Sequence, residues 1–329
     1  MLVRQVVRAL SKENRETCNE IRKSDLALAT AMAMTGGMYE TPIWGKKGWL
    51  TELKPDAAYD IDDLLPAMRN GLSVNGKLYA APFYGESSML MYRKDLADKA
   101  GVKVSDKPTW ADSITFYIDL LKKYGPPGSS ANSFNEILAL YNAGRCGMWV
   151  DATIAASFIT DPKQSKVADK VAFAQAPTGV TPKGANWLWA WSLAIPAGTK
   201  KSAEAQKFVA WATSKEYIAL VGKTNGWGRV PTGTRKSTYA NAEFQKEAKF
   251  AAAEKAAIDS ANPNDSTLPK SPYVGVQFAA IPEFQSIGIT VGQQMSAALA
   301  GKITVDSALK ASQLAAEREM KKDGYYTKK

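Results

Sequence analysis

Tryptophan recurs at every second position in Asn186-Trp187-Leu188-Trp189-Ala190-Trp191-Ser192, and the run continues through Leu193-Ala194-Ile195 to Pro196. A period of two in bulky residues, stopped by a proline that cannot donate to a ladder, reads as a short β-strand. Successive strand side chains point to opposite faces, so Trp187, Trp189 and Trp191 share one face. Two readings of that face stand. It is a bulky core strand beneath a helix layer, or it is a wall on which C–H-rich ligand faces stack while hydroxyls bond elsewhere. Sugars and sugar alcohols are ligands of the second kind.

Composition removes whole classes of chemistry. The 329 residues contain no histidine, so any mechanism that needs an imidazole base or ligand is excluded, including Ser-His-Asp hydrolysis and His-ligated zinc. The two cysteines, Cys18 and Cys146, are far apart and form no CxxC pair, which leaves a single disulfide open and gives no metal or redox motif. No cofactor and no metal site are expected. The net charge of +10 comes from 42 basic and 32 acidic residues. The basic residues, such as Lys200, Lys201, Lys246, Lys249 and Lys255, are scattered among acids and alanines. That pattern reads as a solvated basic surface, with no nucleic-acid partner. No stretch reaches the roughly 20 apolar residues of a membrane span. Leu26 to Met34, followed by Thr35-Gly36-Gly37, reads either as the apolar part of a secretory signal or as a helix end capped by glycine.

The hydropathy pattern alternates helices with short strands, the mark of an α/β fold. Residues 2–23 read as an amphipathic helix and 39–53 as a loop. Asp60 to Met68 reads as a short helix, and strands are expected at 76–82 and 87–93. Helices follow over 109–124 and 132–143, strands over 146–150 and 171–174, then the tryptophan strand. Further helices are expected at 203–213, 215–223, 243–260, 281–299 and 305–322. Tyr79, Trp49 and Trp149 are expected in the core.

Seven segments resemble one family. They are YETPIWGKKGWL (39–50), NGKLYAAPFYGESSMLMYRKDL (75–96), FYIDLLKKYGPPGSS (116–130), AGRCGMWVDAT (143–153), WLWAWSLAIPAGTKK (187–201), NGWGRVPTGTR (225–235) and YVGVQFAAIPEFQSIG (273–288). Together they are similar to the extracellular solute-binding proteins of bacterial ABC importers, the maltose-binding-protein-like family, and within it to the sorbitol and mannitol binders. The resemblance implies a two-lobe, type II periplasmic-binding-protein-like α/β fold with lobes discontinuous in sequence: 1–94 plus 186–235, and 95–185 plus 236–329. It implies a polyol or sugar bound between the lobes, delivery to the permease subunits of a membrane importer, a periplasmic location and a monomer. The chain departs from the family pattern over residues 1–38. It departs again after Pro108-Thr109-Trp110, where Ala111 to Ile114 lead directly into the FYIDLLKKYGPPG segment and a stretch of lobe two is expected to be missing.

The ligand-binding residues this resemblance carries over are Tyr39, Glu40, Tyr84, Glu86, Asp151, Trp187, Trp189, Trp227, Arg229 and Tyr273. Each has a plainer alternative: Arg229 as the tie of a loop, Glu40 and Glu86 as caps. No catalysis is expected. The competing functions are a shortened or engineered derivative that no longer binds, and a carbohydrate-active enzyme, whose two carboxylates could come from Glu40, Glu86 and Asp151.

Overall fold

The computed structural model describes residues 34–93, 110–176, 187–262, 278–279 and 281–326. The helix expected over 2–23, the apolar run up to residue 33 and Tyr273 lie outside them. The main sheet is organised by one unusually long strand, β4 (Ala80–Arg93). Its first half pairs antiparallel with β7 (Leu188–Ala194), from Ala80 opposite Ala194 to Ser87 opposite Leu188. β1 (Met34–Gly37) lies antiparallel on the far side of β7. From Ser88 onward β4 exchanges this neighbour for two others, β5 (Met148–Ala152) and β6 (Val171–Gln175). One strand thus belongs to two half-sheets, and the changeover falls between Ser87 and Ser88. A small hairpin of β2 (Ser73–Val74) and β3 (Lys77–Leu78) stands apart.

Helices cover both half-sheets. Beside the first lie α1 (Glu40–Lys46), α2 (Pro66–Gly71), α6 (Ser202–Ala212) and α7 (Lys215–Asn225). With the second goes α4 (Phe134–Asn142), whose Phe134 and Tyr141 meet Trp149, and α5 (Ala155–Ile159) packs on α4, while α3 (Trp110–Tyr124), α11 (Phe284–Leu299) and α12 (Val305–Lys322) pack on one another. Between them come α8 (Lys236–Ala240), α9 (Ala242–Glu247) and α10 (Ala251–Ser260), the last packed on β4 and β6. Local chemistry sets several of these ends. Thr304 caps α12 by accepting from the Ser307 N–H, with Asp306 in the first turn and Lys321 and Lys322 in the last, which matches the helix dipole at both ends. Ser133 and Glu136 form a capping box on α4. α7 ends at Gly226, whose φ of 94° suits glycine. One core cluster runs from Met38, Met68 and Leu72 through Met89, Met91, Leu188 and Ile195 to Tyr141, Phe244 and Phe250. A smaller one joins Ile118 of α3 to Ala298 and Ala308 of α11 and α12.

The expected loop at 39–53 begins as a helix, α1. Pro42 falls in its first turn, where N–H groups have no intrahelical partner, and Glu40 sits at its positive end. Of the strand expected at 76–82, Lys77–Leu78 form β3, while Ala80–Pro82 join the strand expected at 87–93 in β4, because Tyr84, Gly85 and Glu86 between them pair with β7 past a register shift at Phe83. The single helix expected over 243–260 breaks at Ala248–Phe250, where burying Phe250 against Phe244 and Phe173 outweighs alanine propensity. Asp60 to Met68 forms a 3₁₀ turn at Ile61–Asp63, and the α-helix starts only at Pro66. Met34–Gly37, the end of that apolar run and the residues after it, form a strand. Trp149 is buried as expected, whereas Trp49 is 56% exposed, with the Lys47 ammonium 4.7 Å from its ring centre.

Candidate functional site

Alternation works as the tryptophans predict. Leu188, Ala190 and Ser192 of β7 are buried, while Trp189 is half-buried and Trp191 is 42% exposed. On the neighbouring strand β4, Tyr84 is opposite Trp191 and Glu86 opposite Trp189, so these four side chains occupy one face. The Tyr84 and Trp191 rings lie 6.4 Å apart, and the Trp191 Nε1–H donates to Glu86 Oε1 at 3.3 Å. Trp189 meets Trp191 edge to face at 5.7 Å and Phe278 at 6.0 Å. Phe278 in turn packs on Tyr39, whose ring also meets Phe284 and whose hydroxyl donates to the Ile281 carbonyl at 2.5 Å. An aromatic wall therefore extends from β4 across β7 to the start of α11.

Gly37 of β1 makes the wall possible. A Cβ there would stand 2.1 Å from the Trp189 ring and 2.8 Å from the Glu40 carboxylate. Glu40 reaches back from α1 to accept the Gly37 N–H at 2.9 Å, the capping alternative weighed for it. The Trp189 indole N–H is buried and has no hydrogen-bond partner among the described residues. Such a donor is costly to leave unpaired.

Carboxylates gather beside this wall. Glu86 is buried, and burial chiefly lifts its carboxyl to about 7, against the pull of the Trp191 hydrogen bond and with Asp151 adding repulsion. Asp151, next to last in β5 and opposite Met89, accepts from Trp149 Nε1 at 3.1 Å and the Ala152 N–H at 2.7 Å. Burial raises it as well. A third, Glu254 on α10, is fully buried and also stands at about 7, raised by burial and then by Glu86. Nothing in the sequence marks Glu254, because one glutamate in an alanine-rich helix looks like any solvated helix charge. Trp191 shows in the alternation but was not among the expected contacts, and no signal marked Phe278.

The other expected residues go elsewhere. Trp187 stands just before β7, half-buried, and its carbonyl accepts from the Ser87 hydroxyl at 2.6 Å. Trp227 packs flat over Gly222. Gly228 beside it donates to Glu247 at 3.1 Å, and Arg229 binds Asp161. That ion pair is the one the loop-tie alternative for Arg229 calls for. A cavity of about 400 Å³ between α3 and the α11–α12 turn, lined by Ile118, Lys122, Lys302 and Thr304 among others, shares no residue with the aromatic wall. Among the described residues no acid or cysteine cluster could hold a metal, Cys146 is a free thiol, and no helix is long and apolar enough to cross a membrane.

Glu86 and Glu254 make stability depend on pH. Each holds its proton more tightly when folded than its ordinary value of 4.5 implies. Their contribution to stability is therefore fully present below about pH 4.5 and is lost as pH rises through about 7. Glu86→Gln should gain on wild type in melting temperature between about pH 5 and about pH 8, by at most about 3 kcal/mol in equivalent stability. A difference that stays constant across this window would mean that Glu86 titrates normally.

The sequence profile of the bacterial extracellular solute-binding proteins matches residues 21–219. The mannitol-binding protein of Pseudomonas aeruginosa is 42% identical over 353 aligned positions, covering 89% of this chain and 81% of that protein. Those positions outnumber the 329 residues of the chain, so the relative carries residues that this chain lacks. An ABC transporter solute-binding protein from Agrobacterium vitis S4, solved with bound D-mannitol, is 48% identical, with a TM-score of 0.84 over 95% of this chain and 90% of that one. A solute-binding protein from Agrobacterium radiobacter K84 in complex with ribitol shares the fold at 21% identity and a TM-score of 0.74, over 93% and 90% of the two chains. The chain belongs to the bacterial extracellular solute-binding proteins, with the α/β, two-lobed type II fold of those ABC-importer components.

Proposed function

We propose that this protein binds a linear polyol of the D-mannitol class beside the Ser87–Ser88 changeover and delivers it to the permease subunits of an ABC importer. The observation that carries the reading is the wall itself. It offers aromatic faces, buried carboxylates that accept hydroxyls, and the unpartnered Trp189 N–H that donates to one. Tyr84, Glu86, Trp189 and Asp151 form its centre, with Tyr39 and Glu40 at its edge. Trp187, Trp227, Arg229 and Tyr273 are proposed contacts that would join when the lobes close. The lobes are those read from the sequence, 1–94 plus 186–235 and 95–185 plus 236–329, and the first passes into the second just after β4 ends at Arg93. The 48% identity to a protein solved with D-mannitol supports the ligand class.

The protein works as a monomer in the periplasm and turns over no substrate. Its second lobe is shortened after Trp110. Phe116 and Tyr117 on α3 and Met148 and Val150 on β5 are all 49% exposed or more, which supports a lobe that has lost part of its cover. The clamp is correspondingly weaker than in full-length relatives.

Thermal melting against a panel of polyols, sugars and amino acids tests the reading. At a ligand concentration 100 times Kd, binding stabilises by about 2.7 kcal/mol, a rise of several degrees. The expected responders are D-mannitol and related polyols. A flat response to every polyol and sugar, with the protein folded, would leave the non-binding derivative as the answer.

A further inference from the structure

Where β4 changes partners, one buried carboxylate ties the neighbouring segments together. Glu254 on α10 accepts from the Thr232 hydroxyl at 2.8 Å and from the Tyr239 hydroxyl at 2.8 Å. The Tyr239 oxygen in turn accepts the Gly233 N–H at 3.0 Å. The Thr153 hydroxyl, which accepts the Ser87 N–H at 3.3 Å, also faces Glu254 and favours its ionised form. Thr153 further donates its own N–H to the Ser87 carbonyl at 2.8 Å, and the Thr232 carbonyl accepts the Gly85 N–H at 2.8 Å. Gly85 and Gly233 touch backbone to backbone. A Cβ on Gly85 would be 2.4 Å from the Gly233 oxygen, and one on Gly233 would be 1.8 Å from the Gly85 oxygen. Glu254 therefore holds Gly85, the residue before Glu86, through Thr232 and through Tyr239 and Gly233, and it faces the Thr153 hydroxyl that accepts the N–H of Ser87, the residue after it.

We propose that Glu254 is a positioning residue for the polyol site, fixing the backbone that carries Glu86 and thereby where the Glu86 carboxylate meets the ligand. This rests on the polyol-binding reading above. The hydrogen-bond partners of Glu254, Thr232 and Tyr239, are not part of the aromatic wall, so it acts through Glu86. Charge links the two as well. Glu254 faces Glu86 on β4 and Tyr239 on α8, with Asp259 of its own helix acting on Tyr239. Glu86 faces Asp151 of β5, Tyr84 of its own strand and Trp191 of β7. No described cation is among these groups, so removing the charge of Glu254 lets Glu86 ionise more easily.

Trp191 donates to Glu86, so its fluorescence follows Glu86 ionisation, with Trp191→Phe as the blank. In wild type the fluorescence midpoint is expected near 7. In Glu254→Gln it is expected to fall, because the coulombic repulsion between the two carboxylates acts on both. Calorimetric titration with D-mannitol at about pH 8, where Glu86 is ionised in both proteins, is expected to show a roughly tenfold weaker Kd in the variant as a charge-assisted contact is misplaced. A Kd within twofold of wild type overturns the proposal, whatever the midpoint does. A weaker Kd with an unmoved midpoint marks general loss of packing and also overturns it. If wild type binds no polyol, the functional reading falls, and the midpoint alone decides whether Glu254 governs Glu86. If Glu254→Gln fails to fold, Thr232→Val and Tyr239→Phe each remove one donor to the carboxylate. Each is then expected to weaken Kd about threefold, and two unchanged values overturn the proposal.

Discussion

Trp189→Ala is expected to weaken D-mannitol binding about 100-fold, through loss of a stacking face and of a hydrogen-bond donor together. The ring is gripped rather than free. Trp191 and Phe278 meet it edge to face, and Gly37 leaves the space it fills. Removing it also costs stability, about 2–3 kcal/mol for a half-buried indole, less than the 3–5 kcal/mol of a fully buried one. Trp189→Phe separates the two losses. It keeps an aromatic face, removes the buried and unpartnered N–H, and should leave melting unchanged or slightly raised while weakening affinity about tenfold. Calorimetry on both variants, beside their melting curves, checks this. Were both to lose stability with unaltered affinity in the folded fraction, β7 would be a core strand and the polyol would bind elsewhere.

What the sequence reveals and what it hides divide along physical lines. The face shared by Trp189 and Trp191 was legible because strand periodicity is local and tryptophan is rare. Helices with strong caps were legible too, and α12 begins and ends where the pattern places it. The joining of two expected strands into β4 was not, since it depends on Gly85 meeting Gly233 across nearly 150 positions of chain. The break between α9 and α10 was hidden for the same reason: Phe250 leaves the helix to reach Phe173 and Phe244. Asp151 stood out as an acid at the end of an apolar strand, and Glu86 as an acid in an aromatic segment expected as a loop, which the structure makes part of β4. Glu254 did not, because its solvent-free surroundings are built by Thr153, Thr232 and Tyr239 from three other segments. Trp49 misled in the opposite direction, as its loop carries it outward under a lysine.

The same limit applies to Arg235, whose substitution should produce the largest loss of stability in the chain. It closes the NGWGRVPTGTR segment and looks like a surface arginine, yet its side chain is fully buried. Its Nε donates to the Thr213 carbonyl at 3.0 Å. Its Nη1 donates to the Asp60 carbonyl at 3.2 Å and to Asp63 Oδ2 at 3.3 Å, and the guanidinium lies 4.5 Å over the Tyr59 ring. Asp63 also takes the Ser237 N–H at 2.9 Å and its hydroxyl at 2.6 Å. The segment running from Thr232 is thus held by Glu254 at one end and by Arg235 at the other. Removing the guanidinium strands two carbonyls and a nearly buried carboxylate and leaves a cavity, so Arg235→Ala is expected to cost about 3–5 kcal/mol. Arg235→Lys should recover part of this and no more, because one ammonium cannot serve three separated acceptors and lacks the flat face that lies on Tyr59. Urea denaturation of both variants measures the losses. A cost below about 1 kcal/mol for Arg235→Ala would mean that desolvating the guanidinium cancels what its partners contribute. In that case the packing of Tyr59 and Leu64, rather than this ion pair, would hold the segment in place.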